Sequence, residues 1–87
     1  MRAEQWVAVL ARDPDREIPS AVGALSSLSA VLMRRLLTEG DYEEIVEAIA
    51  GAVFALRVLR EIFGVGNLAV EERIQRMSDG FSVTKRH

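Results

Sequence analysis

The sequence predicts an all-α protein: an antiparallel helical hairpin with short flanking N- and C-terminal helices, assembled with further copies into an oligomeric helical bundle. Three observations lead to this expectation. The 87 residues include 11 alanines and only two prolines, a balance that favours helix. Apolar residues recur three and four positions apart, as they do along one side of a helix. One long segment is apolar on every side, and a helix of that kind is buried on every side.

Composition limits the classes of function. The chain carries 11 basic and 13 acidic residues, so it has no general attraction for nucleic acid or for an anionic membrane. It has no cysteine, which excludes disulfides, thiolate metal sites and thiol catalysis. We find no signal-peptide pattern and no run of about 20 mostly apolar residues. We therefore expect a cytoplasmic protein that does not enter a membrane.

The N-terminal half predicts one short and one long helix. Residues 3–11 have the spacing of a short amphipathic helix, which Asp13-Pro14-Asp15 should end. The second helix should begin around Pro19 and stop at Thr38 or Glu39, before Gly40. Its main apolar stripe is Val22, Leu25, Leu28, Leu32 and Leu36.

The C-terminal half predicts two more helices. Asp41 should cap the third helix, with Glu44 at the capping-box position, and Gly64 should end it. Only one or two residues, at Gly40-Asp41, would then connect the second and third helices. So short a connection predicts an antiparallel hairpin, in which residues whose numbers sum to roughly 80 face each other. A fourth helix is expected over residues 68–77, closed by Ser78-Asp79-Gly80. We therefore expect one helical domain, residues 1–80, followed by a flexible tail, residues 81–87.

The strongest signal for self-association lies in the third helix. Residues 48–56 carry no polar side chain, and a single partner helix covers only one side of such a segment. A second copy of the chain is the simplest source of further cover. The alternative is a tight monomeric bundle in which the short helices lie across the hairpin. The predicted oligomer interface consists of Ala48, Ile49, Gly51, Ala52, Val53, Phe54 and Leu56.

Two arginines are candidate ligands for an anion. By the hairpin rule, Arg57 and Arg60 face a region of serines and glycine at residues 20–27, where they could receive a phosphate or carboxylate. The alternative is an ion pair between Arg57 and Glu61, one helical turn apart, with Arg60 in solvent or bonded to Glu17.

The remaining polar groups favour structural roles over chemistry. The acidic residues Asp41, Glu43, Glu44 and Glu47 could hold a hard cation, but we expect them to pair with Arg34 and Arg35 at the hairpin tip instead. Gly64-Val65-Gly66 lacks the further residues of a dinucleotide or phosphate loop, so it should end a helix. The sole histidine, His87, has no predicted catalytic partner. We expect no catalytic residues, no metal and no cofactor.

One segment resembles a known family. Residues 18–37 read Ile-Pro-Ser-Ala-Val-Gly-Ala-Leu-Ser-Ser-Leu-Ser-Ala-Val-Leu-Met-Arg-Arg-Leu-Leu. This run resembles the leucine-striped helix that precedes the helix-turn-helix in small excisionase-like proteins of mobile elements. The apolar residues 42–63 depart from that pattern, because they contain no recognisable turn. A later segment, residues 70–87, could form a helix, a turn and the start of a recognition helix. The candidate nucleic-acid contacts there are Arg73, Arg76, Lys85 and Arg86.

The functional expectation is a non-enzymatic, homo-oligomeric helical interaction protein, encoded by a phage or other mobile element, that binds a macromolecular partner, most simply another protein. One alternative is a small DNA-binding regulator that uses residues 68–87. The other is a ligand-binding oligomer that holds an anionic metabolite between hairpins.

Overall fold

The computed structural model describes residues 2–37 and 41–85, with side chains described over 2–36 and 41–81. Within these ranges it consists of helices and contains no strand, which confirms the all-α prediction. The four helices are α1 (Ala3–Leu10), α2 (Pro14–Leu37), α3 (Tyr42–Phe63) and α4 (Asn67–Lys85).

The second helix starts earlier than the sequence suggested. It begins at Pro14, so the prediction of a start around Pro19 is wrong. The Asp13 carbonyl accepts hydrogen bonds from the amides of Arg16 and Glu17, at 3.3 and 3.0 Å. Proline is well suited to the first helical position, where its missing N–H costs nothing. Pro19 lies inside the helix. Asp13-Pro14 therefore separates α1 from α2 and also begins α2.

The predicted cap of α3 is present. Asp41 Oδ1 accepts a hydrogen bond from the Glu43 amide at 3.0 Å, which satisfies one of the free N–H groups at the start of the helix. Glu44 was expected to complete a capping box, but its carboxylate instead accepts from the Arg34 guanidinium on α2. The predicted end of α2, at Thr38 and Glu39 before Gly40, lies outside the described residues.

Removing this cap should destabilise the protein modestly. We expect Asp41→Ala to lower the free energy of unfolding by about 0.5–2 kcal/mol, because it deletes both the acceptor and a negative charge at the positive end of the helix dipole. Asp41→Asn is the matched control, since it keeps an acceptor and loses only the charge. Chemical denaturation monitored by circular dichroism measures both values. Equal stability of Asp41→Ala and the parent chain would contradict a helix start at this residue.

The third helix ends in a Schellman motif. Gly64 has a left-handed backbone with φ of 65°, and its amide donates to the Glu61 carbonyl at 3.4 Å. The Val65 amide donates to the Arg60 carbonyl at 2.9 Å. The interpretation of Gly64-Val65-Gly66 as a helix end is therefore confirmed.

Gly64, within this motif, and Gly66, just after it, should differ in their tolerance of alanine. Gly64→Ala should cost about 1 kcal/mol of unfolding free energy, because a left-handed backbone disfavours a Cβ atom. A Cβ there would meet open space, so the cost is one of backbone strain alone. Gly66→Ala is the control, since the space around it is equally open and its φ is not positive. Thermal melts of the two variants side by side provide the comparison, and equal losses would contradict the assigned cap.

The fourth helix is longer than predicted. It continues through Ser78-Asp79-Gly80 to Lys85, so the expected end at Met77 is wrong. The Gln75 side-chain amide donates to Asp79 Oδ1 at 3.1 Å, a bridge across one helical turn that supports the helix at this point. One internal glycine costs only about 1 kcal/mol. Residues 81–85 of the predicted tail therefore belong to α4, whereas Arg86 and His87 lie outside the described residues.

The helices share a small core. α2 packs against α3, and α1 also packs against α3. The buried apolar residues of the described chain are alanines and valines, and no described side chain is completely enclosed. This core is modest for a chain in which 49% of the residues are hydrophobic. Its members are Val7, Ala21, Val31, Ala52, Ala55 and Val58.

Candidate interaction surface

The third helix has a buried stripe of small residues and an exposed stripe of large ones. The buried stripe centres on Ala52 and Ala55, spaced as one side of a helix. It is extended towards the start of the helix by the half-buried Ile45 and Ala48. The residue after each of these four positions has a large apolar side chain that is between 42% and 47% exposed. These exposed residues are Val46, Ile49, Val53 and Leu56.

The second helix repeats this division. Ala21 and Val31 are buried, with Ala24 and Leu28 half-buried on the same side. The exposed stripe consists of Val22, Leu25, Leu32 and Leu36, and the first three of these again follow a buried or half-buried residue by one position. The main apolar stripe predicted from the sequence is thus, apart from Leu28, the one that the chain leaves exposed.

The two exposed stripes lie on the same side of the α2–α3 pair. Arg34 near the end of α2 pairs with Glu44 near the start of α3. Ala21 near the start of α2 lines a cavity together with Val58, near the end of α3. Contacts therefore run in opposite order along the two helices. The residue that follows a buried one is rotated by about 100° around its helix. Because the two helices run in opposite directions, this rotation brings the exposed stripes of both helices to the same side of the pair. We call the eight residues of the two exposed stripes the outer face.

The first helix does not cover the outer face. Leu10 lines the same cavity as Phe54 and Val58, and Val7 lines a second cavity with Arg57. Phe54 and Val58 lie roughly a third of a turn or more from the exposed stripe of α3. The third helix thus has three apolar sides: one covered by α2, one partly covered by α1, and one open.

The predicted interface residues divide between these sides. Ala52 is buried within the chain, and Ala48 and Phe54 are half-buried. Gly51 is exposed and lines the cavity of about 320 Å³ between the helices. The remaining three predicted residues belong to the outer face: Ile49, Val53 and Leu56.

The chain as a whole exposes more surface than a compact monomer of its size. Its accessible surface is 7128 Å² for a mass of 9.6 kDa. Compact monomers of this mass expose roughly 5,100 Å², so the excess is about 2,000 Å². Its radius of gyration is 15.9 Å, against roughly 12 Å for a compact chain of this length.

The fourth helix carries a further apolar stripe that we call the α4 stripe: Val70, Ile74, Met77 and Phe81. The spacing of four, three and four positions places these side chains on one side of the helix. Val70 is half-buried, and the other three are between 48% and 68% exposed. Sequence reasoning missed this stripe because it ended the helix at Met77, although the spacing itself was visible.

The two candidate anion ligands share a cavity, but its lining differs from the one expected. Arg57 and Arg60 line a cavity of about 440 Å³ together with Glu4, Glu61 and Asn67. Residues 20–27, which the sequence placed opposite these arginines, are not among the residues that line it. Arg60 donates to Asn67 Oδ1 and to the Val65 carbonyl, whereas the alternative placed it in solvent or bonded to Glu17. The carboxylates of Glu4 and Glu61 offset the charges of the two arginines, and the Arg60 guanidinium is already bonded within the chain. The cavity therefore has little net attraction for an anion.

The acidic cluster at the start of α3 acts as predicted in one respect. Glu44 pairs with Arg34 as predicted. Both side chains are partly exposed, so the pair contributes at most about 1 kcal/mol to the free energy of unfolding. Among the described residues, no three acidic or histidine side chains are grouped closely enough to hold a metal ion.

The candidate nucleic-acid contacts are only partly described. Arg73 and Arg76 are exposed on α4. The side chain of Lys85 and the whole of Arg86 lie outside the described atoms. Residues 67–85 contain three basic and three acidic residues, so this helix has no basic excess.

No helix in the described ranges has both the length and the hydropathy to cross a membrane. Comparison of the chain with protein-family models, curated proteins and solved structures gave no match. The resemblance of residues 18–37 to excisionase-like proteins therefore stays a prediction.

Proposed function

We propose that this chain is a non-enzymatic, homo-oligomeric helical interaction protein. In this proposal α2 and α3 form an antiparallel hairpin, the outer face binds other copies of the chain, and the assembly binds a macromolecular partner, most simply another protein. A phage or other mobile element as its source accords with the resemblance of residues 18–37.

The observation that carries the proposal is the exposure of large apolar side chains above a core of small ones. Alanines and valines fill the space between the helices, while the leucine, isoleucine and valine side chains of the outer face are between 37% and 80% exposed. Covering the exposed half of each such side chain contributes about 1 kcal/mol. Large apolar side chains exposed along one side of a helix pair are typical of a protein–protein interface.

The polar groups supply no competing chemistry. The cavity around Arg57 and Arg60 balances two guanidiniums with the carboxylates of Glu4 and Glu61. The cavity between α1, α2 and α3 is lined mainly by apolar and small residues, with Glu17 and Ser20 as its polar members. In neither cavity of the described chain is a nucleophile hydrogen-bonded to a base, because the Glu17 carboxylate lies against Arg16 and makes no bond to Ser20, and this favours a binding role over a catalytic one.

The oligomeric mass in solution tests the proposal. Light scattering of the full chain at micromolar concentration and neutral pH should give at least twice the 9.6 kDa of one chain. Circular dichroism of the same sample reports whether the helices are intact. A single-chain mass with full helical content would overturn self-association.

A salt titration distinguishes the DNA-binding alternative. In that alternative α4, which does not pack along α2 and α3, would contact DNA through the exposed Arg73 and Arg76. Binding of the full chain to random duplex DNA should be weak and nearly independent of salt under the proposal. A steep fall in affinity with salt, lost in the double variant Lys85→Glu with Arg86→Glu, would instead support a DNA-binding regulator.

A further inference from the structure

We propose that α4 of one copy docks on the outer face of a second copy, and that two chains exchange these helices reciprocally in a dimer. This inference rests on the proposed self-association and specifies its geometry. It begins from the fact that one chain carries two separate uncovered apolar surfaces, the outer face and the α4 stripe.

The junction between α3 and α4 is held by several bonds. The Schellman motif at Gly64 fixes the backbone at the end of α3. Arg60 then reaches across the junction to Asn67, the first residue of α4, and to the Val65 carbonyl. In this arrangement α4 does not pack along the α2–α3 pair, and Ile74, Met77 and Phe81 remain exposed. A helix anchored at its start and apolar along one side is suited to reach another chain.

The dimensions of the two surfaces match. The α4 stripe spans residues 70–81, about 17 Å along the helix, and the exposed stripe of α2 spans residues 22–36, about 21 Å. The α4 stripe and the exposed stripe of α3 have the three-and-four spacing that lets side chains of one helix enter the spaces between those of its neighbours. The outer face can thus accept α4 as a third helix packed against α2 and α3.

The surface area favours exchange over simpler pairings. Two outer faces packed on each other would leave both α4 stripes exposed, and pairing of α4 with α4 would leave both outer faces exposed. Reciprocal docking covers every one of these surfaces within a single two-fold interface. The chain exposes about 2,000 Å² more than a compact monomer, whereas standard complexes bury roughly 800 Å² per partner and obligate dimers about 1,000–2,500 Å². The excess is therefore of the size that a large dimer interface buries.

Engineered cysteines test the exchange directly, because the chain has no cysteine of its own. One preparation of the full chain carries Val53→Cys on the outer face, and a second, distinguished by a mass tag, carries Ile74→Cys on the α4 stripe. After the two are mixed and allowed to exchange subunits, a short bismaleimide should join one chain of each kind. A second pair, Leu56→Cys with Met77→Cys, guards against an unfavourable position. The matched control replaces Ile74→Cys by Glu72→Cys, which lies on the opposite side of α4 and should cross-link at least several-fold less.

The other outcomes each contradict the exchange and identify what replaces it. Efficient linking of Val53→Cys chains to one another means that outer faces pair, and linking of Ile74→Cys chains to one another means that α4 pairs with α4. A chain carrying both cysteines that links only within itself means that α4 folds back on its own hairpin. An oligomeric mass with no mixed product from either pair overturns the exchange but leaves self-association standing. A single-chain mass for the unmodified protein overturns the proposed function itself.

Discussion

Val53→Asp should dissociate the protein into single chains that keep most of their helical content at low temperature. Val53 lies in the middle of the outer face, and on assembly its side chain would be removed from water. An unpaired carboxylate in such a position costs about 3 kcal/mol or more per copy, which corresponds to at least a 100-fold weaker association, about a factor of ten for each 1.4 kcal/mol. Light scattering and circular dichroism on one sample measure the two quantities.

The control for this variant is Ser27→Asp. Ser27 is exposed in the middle of α2 and points away from the outer face, so the same new side chain should leave the mass unchanged there. If Val53→Asp also retained the parent mass, the outer face would have no part in assembly.

The neighbouring substitution, Ala52→Glu, should unfold the chain rather than merely separate copies. Ala52 is only 4% exposed and lies in the stripe that faces α2. Glutamate there must place a longer side chain and a charge between two closely packed helices, which should cost more than about 3 kcal/mol of unfolding free energy. We expect loss of helical signal and of cooperative melting.

Ala50→Glu serves as the control for this variant, because Ala50 is exposed on the same helix and its replacement should keep the helical signal. Adjacent positions would thus separate the two levels of structure: Ala52 reports on the fold of one chain and Val53 on its assembly. A helical, monomeric Ala52→Glu variant would place Ala52 in the interface, as the sequence alone suggested.

Local signals in the sequence predicted helix ends well where one residue decides the backbone. The side chain of Asp41 accepts an amide bond at the start of α3, and Gly64 takes the left-handed conformation at its end. Where two signals compete, the prediction failed. Asp13-Pro14 can either break a helix or begin one, and Ser78-Asp79-Gly80 costs too little to stop a helix that is already formed.

The inner and outer sides of the α2–α3 pair could not be separated by periodicity alone. In both α2 and α3, a stripe of small residues and a stripe of large ones lie one position apart, and both have helical spacing. Hydrophobicity favours burial of the larger stripe. Close approach of two helices instead favours the smaller one, because small side chains let many backbone and side-chain atoms come into contact. Only the packing of α2 against α3 decides between them.

The small core has a consequence for how the protein responds to its own abundance. The described residues bury six alanine and valine side chains, which give one chain only modest stability by itself, so association should add to the stability of the fold by mass action. The melting temperature should then rise with protein concentration, and dilution alone should increase the unfolded fraction. Chains made in excess of their partners would be the first substrates for proteases. Synthesis rate would thereby set the folded fraction as well as the amount of this protein.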